Sequence, residues 1–171
     1  MAFTYSKLAE TTVGAGGVST ITFNNIPQNY TDLKVVLSVR TNRGAVADTL
    51  NITFNGSSSY SIKTLFGNTG AGTVNSYSDT KLEAVWTTAA SNTANSFANS
   101  EVYIPNYTSS SNKSISADSV TETNNADAYQ AIVAGLWSNA TAINSITFTS
   151  NTASTIVQYS TATLYGIRVE L

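Results

Sequence analysis

Residues 32–56 read DLKVVLSVRTNRGAVADTLNITFNG, and both ends of this stretch alternate between apolar and polar side chains. The apolar positions of the first segment are Leu33, Val35, Leu37 and Val39, and those of the second are Leu50, Ile52 and Phe54. A period of two residues predicts half-buried β-strands. Asn55 and Gly56 then predict a turn, because both residue types tolerate positive φ.

The same alternation recurs along the chain, and no stretch has the spacing of an amphipathic helix. Further strand-like segments are STITFNN (19–25), TKLEAVW (80–86), SEVYIPNYT (100–108) and NSITFTS (144–150). Clusters of Gly, Asn and Ser separate them, without a long linker or a change in composition. The sequence therefore predicts one all-β domain over residues 1–171, an antiparallel, jelly-roll-like β-sandwich of about nine or ten strands.

Pro105 interrupts the segment SEVYIPNYT. Proline has no backbone N–H to donate to a neighbouring strand, so it is confined to edge strands, strand ends and bulges. We expect this segment to be an edge strand or to contain a bulge.

Residues 128–137, AYQAIVAGLW, are apolar at both parities. One face would carry Tyr129, Ala131, Val133 and Trp137, and the other Ile132, Ala134 and Leu136. Strands with two apolar faces are usually covered on both sides, so we expect a loop of this chain or another subunit over the second face. A short helix is the alternative. The candidate subunit-interface residues are Tyr129, Ile132, Ala134, Leu136 and Trp137.

The composition narrows the classes of function. The chain has no His and no Cys, and charged residues make up 11% of it with a net charge of −2, against about 25% charged residues in an average soluble domain. Without His, the commonest general base and zinc ligand is missing. We therefore expect no enzyme, no cofactor and no nucleic-acid partner. The N-terminal residues also predict neither a Sec signal nor a membrane segment.

Three carboxylates cluster in SADSVTETNNADAY (116–129), at Asp118, Glu122 and Asp127. A solvated loop is the simplest interpretation. A weak Ca²⁺ site that also uses Asn124 or Asn125 stays open, although the spacing matches no calcium-loop pattern. A glycosidase would need two such carboxylates around a sugar, and no pair stands out.

Arg40, Arg43 and Asp48 bracket the connection RTNRGAVAD between two strands. A guanidinium can bind a carboxylate through two hydrogen bonds. The three residues are therefore candidates for a turn clamp, with contact to a partner as the alternative. Trp86 and Trp137 both lie in segments with the two-residue alternation of a β-strand. This favours packing in the core or between subunits over an exposed platform for sugars.

Four segments occur in an order that resembles small β-sandwich proteins of tailed bacteriophage virions. They are YTDLKVVLSVRTNRGAVADTLNITFNG (30–56), EVYIPNY (101–107), GLWSNATAINSITFTS (135–150) and STATLYGIRVEL (160–171). The resemblance covers most of the chain, with a gap around 57–100. It departs from the pattern at 160–163, where Gly-Ser often precedes the closing strand. Arg40, Arg43, Asp48, Asn55 and Gly56 match the pattern as framework.

This resemblance implies a structural protein of the virion, made in the host cytoplasm. The first expectation is a capsid decoration (cement) protein, a homotrimer on the outer surface of the head whose partner is the major capsid protein. The alternative is a tail-associated module that binds a receptor or glycan.

Overall fold

The structure, a computed structural model, describes residues 2–68, 70–124 and 128–170. These residues form two antiparallel sheets and no helix, so none of them belongs to a helix that could cross a membrane. The predicted all-β sandwich is confirmed, with twelve strands rather than nine or ten. They are β1 (Ala2–Thr12), β2 (Thr20–Phe23), β3 (Asp32–Val39), β4 (Ala47–Phe54), β5 (Tyr60–Asn68), β6 (Ala71–Asp79), β7 (Leu82–Thr88), β8 (Ala98–Ile104), β9 (Lys113–Thr121), β10 (Tyr129–Trp137), β11 (Ile146–Ser150) and β12 (Thr161–Glu170).

The strand order is that of a jelly roll with four extra strands. The large sheet runs β1-β12-β3-β8-β9-β10-β5-β6, and the small sheet runs β2-β11-β4-β7. Four antiparallel pairs are nested along the chain: β1 with β12, β2 with β11, β3 with β8, and β4 with β7. Folding such a nested hairpin into two sheets gives the jelly roll. We call these eight the jelly-roll strands.

The remaining strands β5, β6, β9 and β10 are insertions, and we call them the inserted strands. The pair β5–β6 lies between β4 and β7 in the chain, and β9–β10 lies between β8 and β11. Both pairs extend the large sheet beyond β8. The large sheet is therefore twice as wide as the small sheet.

The core lies between the inner faces of the two sheets. In β3 and β4 it contains the apolar residues that the alternation predicted, all at most 1% exposed: Leu33, Val35, Leu37, Val39, Leu50, Ile52 and Phe54. The inserted strands take part, since Trp137 of β10 is fully buried with its ring centroid 5.5 Å from that of Phe54. The inner faces of β5, β9 and β10 thus belong to the common core, whereas residues 72–79 of β6 are exposed.

Two expectations about single segments are wrong. β8 is a central strand between β3 and β9 that ends at Ile104, so Pro105 follows the strand and causes neither an edge nor a bulge. After it, Asn106 has φ of 49° and its N–H donates to Asp32 Oδ1 at 2.8 Å. The helical alternative for 128–137 is also wrong, because these residues form β10, paired with β5 and β9 on either side.

The sequence segments 30–56 and 160–171 meet where Tyr30 packs on Gly166. A Cβ at Gly166 would lie 2.6 Å from the ring atoms Cγ and Cδ1 of Tyr30, so only glycine permits this contact. The guanidinium of Arg168 lies 5.0 Å from the same ring centroid and donates to Asn29 O. The close approach joins the start of β3 to the closing strand β12.

Candidate interaction surface

The two faces of β10 have different surroundings. The side chains of Ala131, Val133 and Trp137 point into the core and are at most 1% exposed. Ile132 and Ala134 point to the opposite, outer face of the large sheet and are exposed, and Leu136 there is half-buried. No described residue covers this second face, although its strand is apolar there too.

Ile132 belongs to an apolar row that crosses three neighbouring inserted strands. Ile132 lies opposite Leu65 of β5, and Leu65 lies opposite Val74 of β6. Their side chains are 55%, 51% and 58% exposed, respectively. Val120 of β9, 44% exposed, lies one row away on the same outer face. Exposed apolar side chains grouped in this way indicate an interaction site, whereas isolated ones do not.

The same row becomes acidic in the next two strands. Ile132 lies opposite Asp118 of β9, and Asp118 lies opposite Glu101 of β8. Glu101 pairs with Lys34 of β3 at 2.7 Å, and Asp118 forms no ion pair with any described residue. Two shallow depressions of about 310 and 320 Å³ flank Ile132, one toward β5 and β6 and one toward β8 and β9. The outer face therefore offers apolar contacts next to an unpaired carboxylate.

Two of the five predicted interface residues lie elsewhere. Trp137 belongs to the core and is not available to another subunit. Tyr129 is half-buried and stacks on Trp86 of β7, with ring centroids 5.5 Å apart. Phe66 stacks on Trp86 at 4.9 Å, so the three rings pack together where β7 meets the inserted strands. Both residues follow inward parity in β10, which places them between the sheets.

Arg40 clamps a distant loop rather than its own turn. Its guanidinium donates to the backbone oxygens of residues 90, 92, 93 and 96 at 2.8–3.2 Å. Desolvation lowers the pKa of Arg40, and these carbonyl dipoles replace the lost water. The contacts attach the 90–96 loop to the end of β3, which is a structural role.

Asp48 is the centre of a second network of polar contacts. It is 1% exposed and accepts hydrogen bonds from the hydroxyls of Thr41, Ser150 and Thr152 at 2.8–3.3 Å. Arg43 lies 3.7 Å from its Oδ1 and donates to Ala47 O at 3.0 Å. Arg43 and Asp48 thus meet across the turn, whereas Arg40 does not join them. The fully bonded carboxylate leaves no free group for chemistry.

The acidic cluster is spread out in space where it can be described. Asp118 lies in the middle of β9 on the outer face, and Glu122 follows the strand, where it accepts hydrogen bonds from the N–H groups of Thr123 and Asn124. Asp127 and Asn125 lie outside the described residues. Among the described residues no three His, Cys, Asp or Glu side chains are grouped to hold a metal. The Ca²⁺ hypothesis gains no support from Asp118 and Glu122.

Lys113 is a buried cation that the sequence pattern did not single out. It is 1% exposed, and its Nζ donates to Ser111 O at 2.5 Å and Thr141 O at 3.0 Å. Nζ also lies 5.7 Å from the ring centroid of Trp137. Desolvation lowers the pKa of Lys113. Its acceptors are backbone oxygens of two loops, so Lys113 joins the loop before β9 to the loop after β10.

The sequence reasoning also missed Leu65 and Val74, two thirds of the apolar row. They come together because the pairing register of β5 and β6 puts Leu65 opposite Val74, and the alternation of apolar residues gave no signal for β6. The hairpin lies in the part of the chain where the recognised motifs have a gap.

Comparison with protein-family models, with curated proteins and with solved structures gave no match. The surface is therefore interpreted from its own geometry and from the motifs above.

Proposed function

We propose that the protein is a structural component of a tailed-phage virion, a capsid decoration protein that binds the outside of the head through the outer face of its inserted strands. The proposal is non-catalytic: the recognised polar residues Arg40, Arg43 and Asp48 are occupied by structural hydrogen bonds. Its partner is the major capsid protein, and its location is the capsid surface. The resemblance to virion proteins supports this class of function, and the exposed apolar residues on the outer face support attachment through that face.

The observation that carries the proposal is the apolar row of Ile132, Leu65 and Val74. All three side chains are more than half exposed. The strands of Ile132 and Leu65 have core residues on their opposite face, and β6 is held by its pairing with β5 over nine residues. Burying a Val, Leu or Ile side chain from full exposure contributes about 1.5–3 kcal/mol, so burying the exposed half of each of these three contributes about half of that per residue, without new ordering of the backbone. Binding only the mature shell would then stabilise that shell by mass action.

A homotrimer is the assembly that the resemblance implies, and it belongs to this proposal. Exposed apolar positions such as Ala134 and Val120 widen the row into a surface that can serve a subunit contact and a capsid contact. Low charge also suits dense packing of many copies on one shell, because net charge drives mutual repulsion.

Co-sedimentation with purified heads of the phage that carries the gene tests this function. The wild-type protein is expected to pellet with expanded heads and not with unexpanded ones. Replacing Leu65→Asp and Ile132→Asp together is expected to abolish pelleting. The matched control, Thr20→Asp with Thr22→Asp on exposed positions of β2, should pellet like the wild type. Loss of binding in the control, or full binding by the Leu65 and Ile132 variant, would contradict the proposal.

A second candidate function, a glycan-binding module of the tail, is favoured by one depression. A hollow of about 500 Å³ on the outer face lies beside the row and is rich in hydroxyl groups. Its lining includes Ser61, Ser76, Ser78, Ser114, Lys63 and Leu136. Uncharged hydroxyls around an apolar floor can hydrogen-bond a sugar while one sugar face packs on carbon.

Adsorption inhibition separates the two functions. A receptor-binding module in free form would block attachment of the phage to its host, and Ser61→Ala with Ser78→Ala would relieve the block. A decoration protein would leave attachment unchanged at every concentration.

A further inference from the structure

The four edge strands of the two sheets differ in how they are protected. Unpaired edges invite pairing with other chains, and proteins normally block them with bulges, charges, short length or covering groups. In β1 the pairing register shifts between Lys7 and Ala9, and Lys7 forms a salt bridge with Glu10 at 2.8 Å. β2 has only four residues. These two edges are blocked.

The edge of β7 is also closed, by side chains from the other sheet. Ser119 Oγ accepts from Trp86 N at 3.1 Å, and Ser100 Oγ donates to Trp86 O at 3.2 Å. The pairing of β7 with β4 also carries a register shift between Leu50 and Asn51. A further strand cannot add to β7 without displacing these contacts.

β6 has none of these devices. It pairs with β5 over nine residues without a register shift. It contains no Pro, Lys or Arg, and its single charge is the last residue, Asp79. Its residues 72–79 are exposed, and among the described residues the backbone of β6 is hydrogen-bonded to β5 and to no other strand or loop. It is the open edge of the described part of the molecule.

We propose that β6 pairs antiparallel with β6 of a second copy of this chain, around a two-fold axis at Asn75. This joins the two large sheets into one and is a form of β-strand addition. The inference goes beyond the proposed function and rests on the free backbone edge of β6, although Val74 belongs both to this edge and to the apolar row. Such a contact is isologous, the commonest kind in homo-oligomers.

Charge and register favour a second copy as the occupant. Centring on Asn75 places Val74 opposite Ser76 of the partner subunit, and positions 72–78 bring no charge from either side. Asp79 then lies opposite Ala71 of the partner subunit, so the two carboxylates sit at opposite ends of the pair. The edge β1 is a poorer occupant because of its bulge and its ion pair.

Apolar surface also continues across the proposed axis. Diagonal neighbours on paired strands lie about 7–8 Å apart, within reach of long side chains. The two Val74 residues are diagonal neighbours in this register. The row of Ile132, Leu65 and Val74 therefore meets its symmetry copy at the axis.

Disulfide trapping tests the register, and the absence of native Cys makes it clean. Opposed residues in an antiparallel pair have Cα atoms about 4.5–5.5 Å apart, within the range that a disulfide spans. Asn75→Cys is expected to give a covalent dimer under mild oxidation. Ser78→Cys, three residues from the axis on the same strand, should stay monomeric on a non-reducing gel. Equal cross-linking of both variants, or of neither, would overturn the register.

The mass in solution tests the contact itself. Val74→Lys with Ser76→Lys opposes lysines across the axis and is expected to halve the mass found by light scattering. The control Thr20→Lys with Thr22→Lys adds the same charge at exposed positions of β2, in the small sheet. Its mass should equal that of the wild type. A wild-type mass that the β6 variant leaves unchanged, or that only the control reduces, would overturn the proposal. Head binding by the Asn75→Cys variant reports separately on the proposed function, because Asn75 lies opposite the buried Thr64 and so on the other face from the apolar row.

Discussion

The jelly-roll strands and the inserted strands differ in which of their polar and apolar side chains are buried and which are exposed. In the jelly-roll part, Asp48 is buried and fully hydrogen-bonded, while Tyr30 packs against Gly166. The inserted strands expose Ile132, Leu65 and Val74 to solvent. The recognisable motifs thus fasten the framework, and the surface with the best potential for binding lies where motifs are scarce. The framework contacts and the exposed apolar row therefore lie in different parts of the molecule.

The largest effect on stability is expected from Asp48→Ala. The change leaves the hydroxyls of Thr41 and Ser150 without their buried acceptor, and breaking a buried charged network costs about 3–5 kcal/mol. Urea denaturation should show this loss. Asp118→Ala, on the outer face of β9, is the matched control. It removes a carboxylate that lies opposite Glu101, so its stability should change by less than about 0.5 kcal/mol. Equal losses would abolish the distinction between the two regions.

Alkaline pH is expected to weaken the contact between the inserted strands and the framework. Burial raises the pKa of Tyr60 to about 12, above the ordinary value of 10. The folded state therefore keeps the proton more tightly, and this stabilisation is complete below pH 10 and lost as the pH rises to 12. Two pKa units correspond to about 2–3 kcal/mol for this 2% exposed side chain.

Chemical denaturation at pH 9 to 12 measures this loss. Tyr60→Phe should reduce the fall in stability across that range, and Tyr159→Phe, at a 70% exposed residue, serves as the control. The lowered pKa of Lys113 has the opposite effect on stability, because the unfolded state binds this proton more tightly than the folded state does. Stability therefore rises with pH as Lys113 loses its proton, and this rise ends near pH 10.5. If the stability of Tyr60→Phe fell with pH in the same way as that of the wild type, the loss could not be attributed to the raised pKa of Tyr60.

A smaller effect is expected at the turn after β4. Asn55 Oδ1 accepts from the N–H groups of Asn144 and Ser145, and its Nδ2 donates to Ala142 O at 2.8 Å. Its φ is 53°, which alanine disfavours. Asn55→Ala should therefore cost about 1–2 kcal/mol in thermal or urea unfolding. Asn55→Asp keeps both accepted bonds and should lose less; a greater loss than for alanine would contradict the role of these bonds.

The smallest effect on stability is expected from Ile132→Ser. Its side chain is 55% exposed, so the free energy of unfolding should change by less than about 0.5 kcal/mol. The neighbouring change Val133→Ser, at a 1% exposed position of the same strand, should cost more than about 2 kcal/mol. Comparable losses from the two variants would mean that the outer face is part of the folded core.

The jelly-roll strands and the inserted strands also differ in how well the sequence predicts them. Alternation identified β3 and β4 because one face of each carries apolar core residues and the other carries polar side chains, although in β4 the polar side chains are themselves buried or half-buried, against the half-buried strand that the alternation predicted. It did not identify β6, whose residues 72–79 are all exposed and so carry no contrast between faces. β9 was missed for another reason: its inner face includes the polar residues Lys113, Ser119 and Thr121, which are buried because distant groups satisfy their hydrogen bonds.

The candidate site was only partly predictable for the same physical reason. The double apolar pattern of 128–137 correctly placed Ile132 and Ala134 on a second face, but no loop of the described residues covers that face, and cover by another subunit stays a prediction. It could not separate them from Trp137, because burial depends on which face the small sheet covers. Arg40 was grouped with Asp48 by closeness in sequence, whereas its acceptors lie 50–56 residues away in the chain.

Cryo-electron microscopy of heads decorated with the protein tests the central claim most directly. The map is expected to show the outer face of β5, β6, β9 and β10 buried against the shell or a neighbouring subunit, with Ile132 in the contact. Density that places this face toward solvent while another face binds the shell would contradict it.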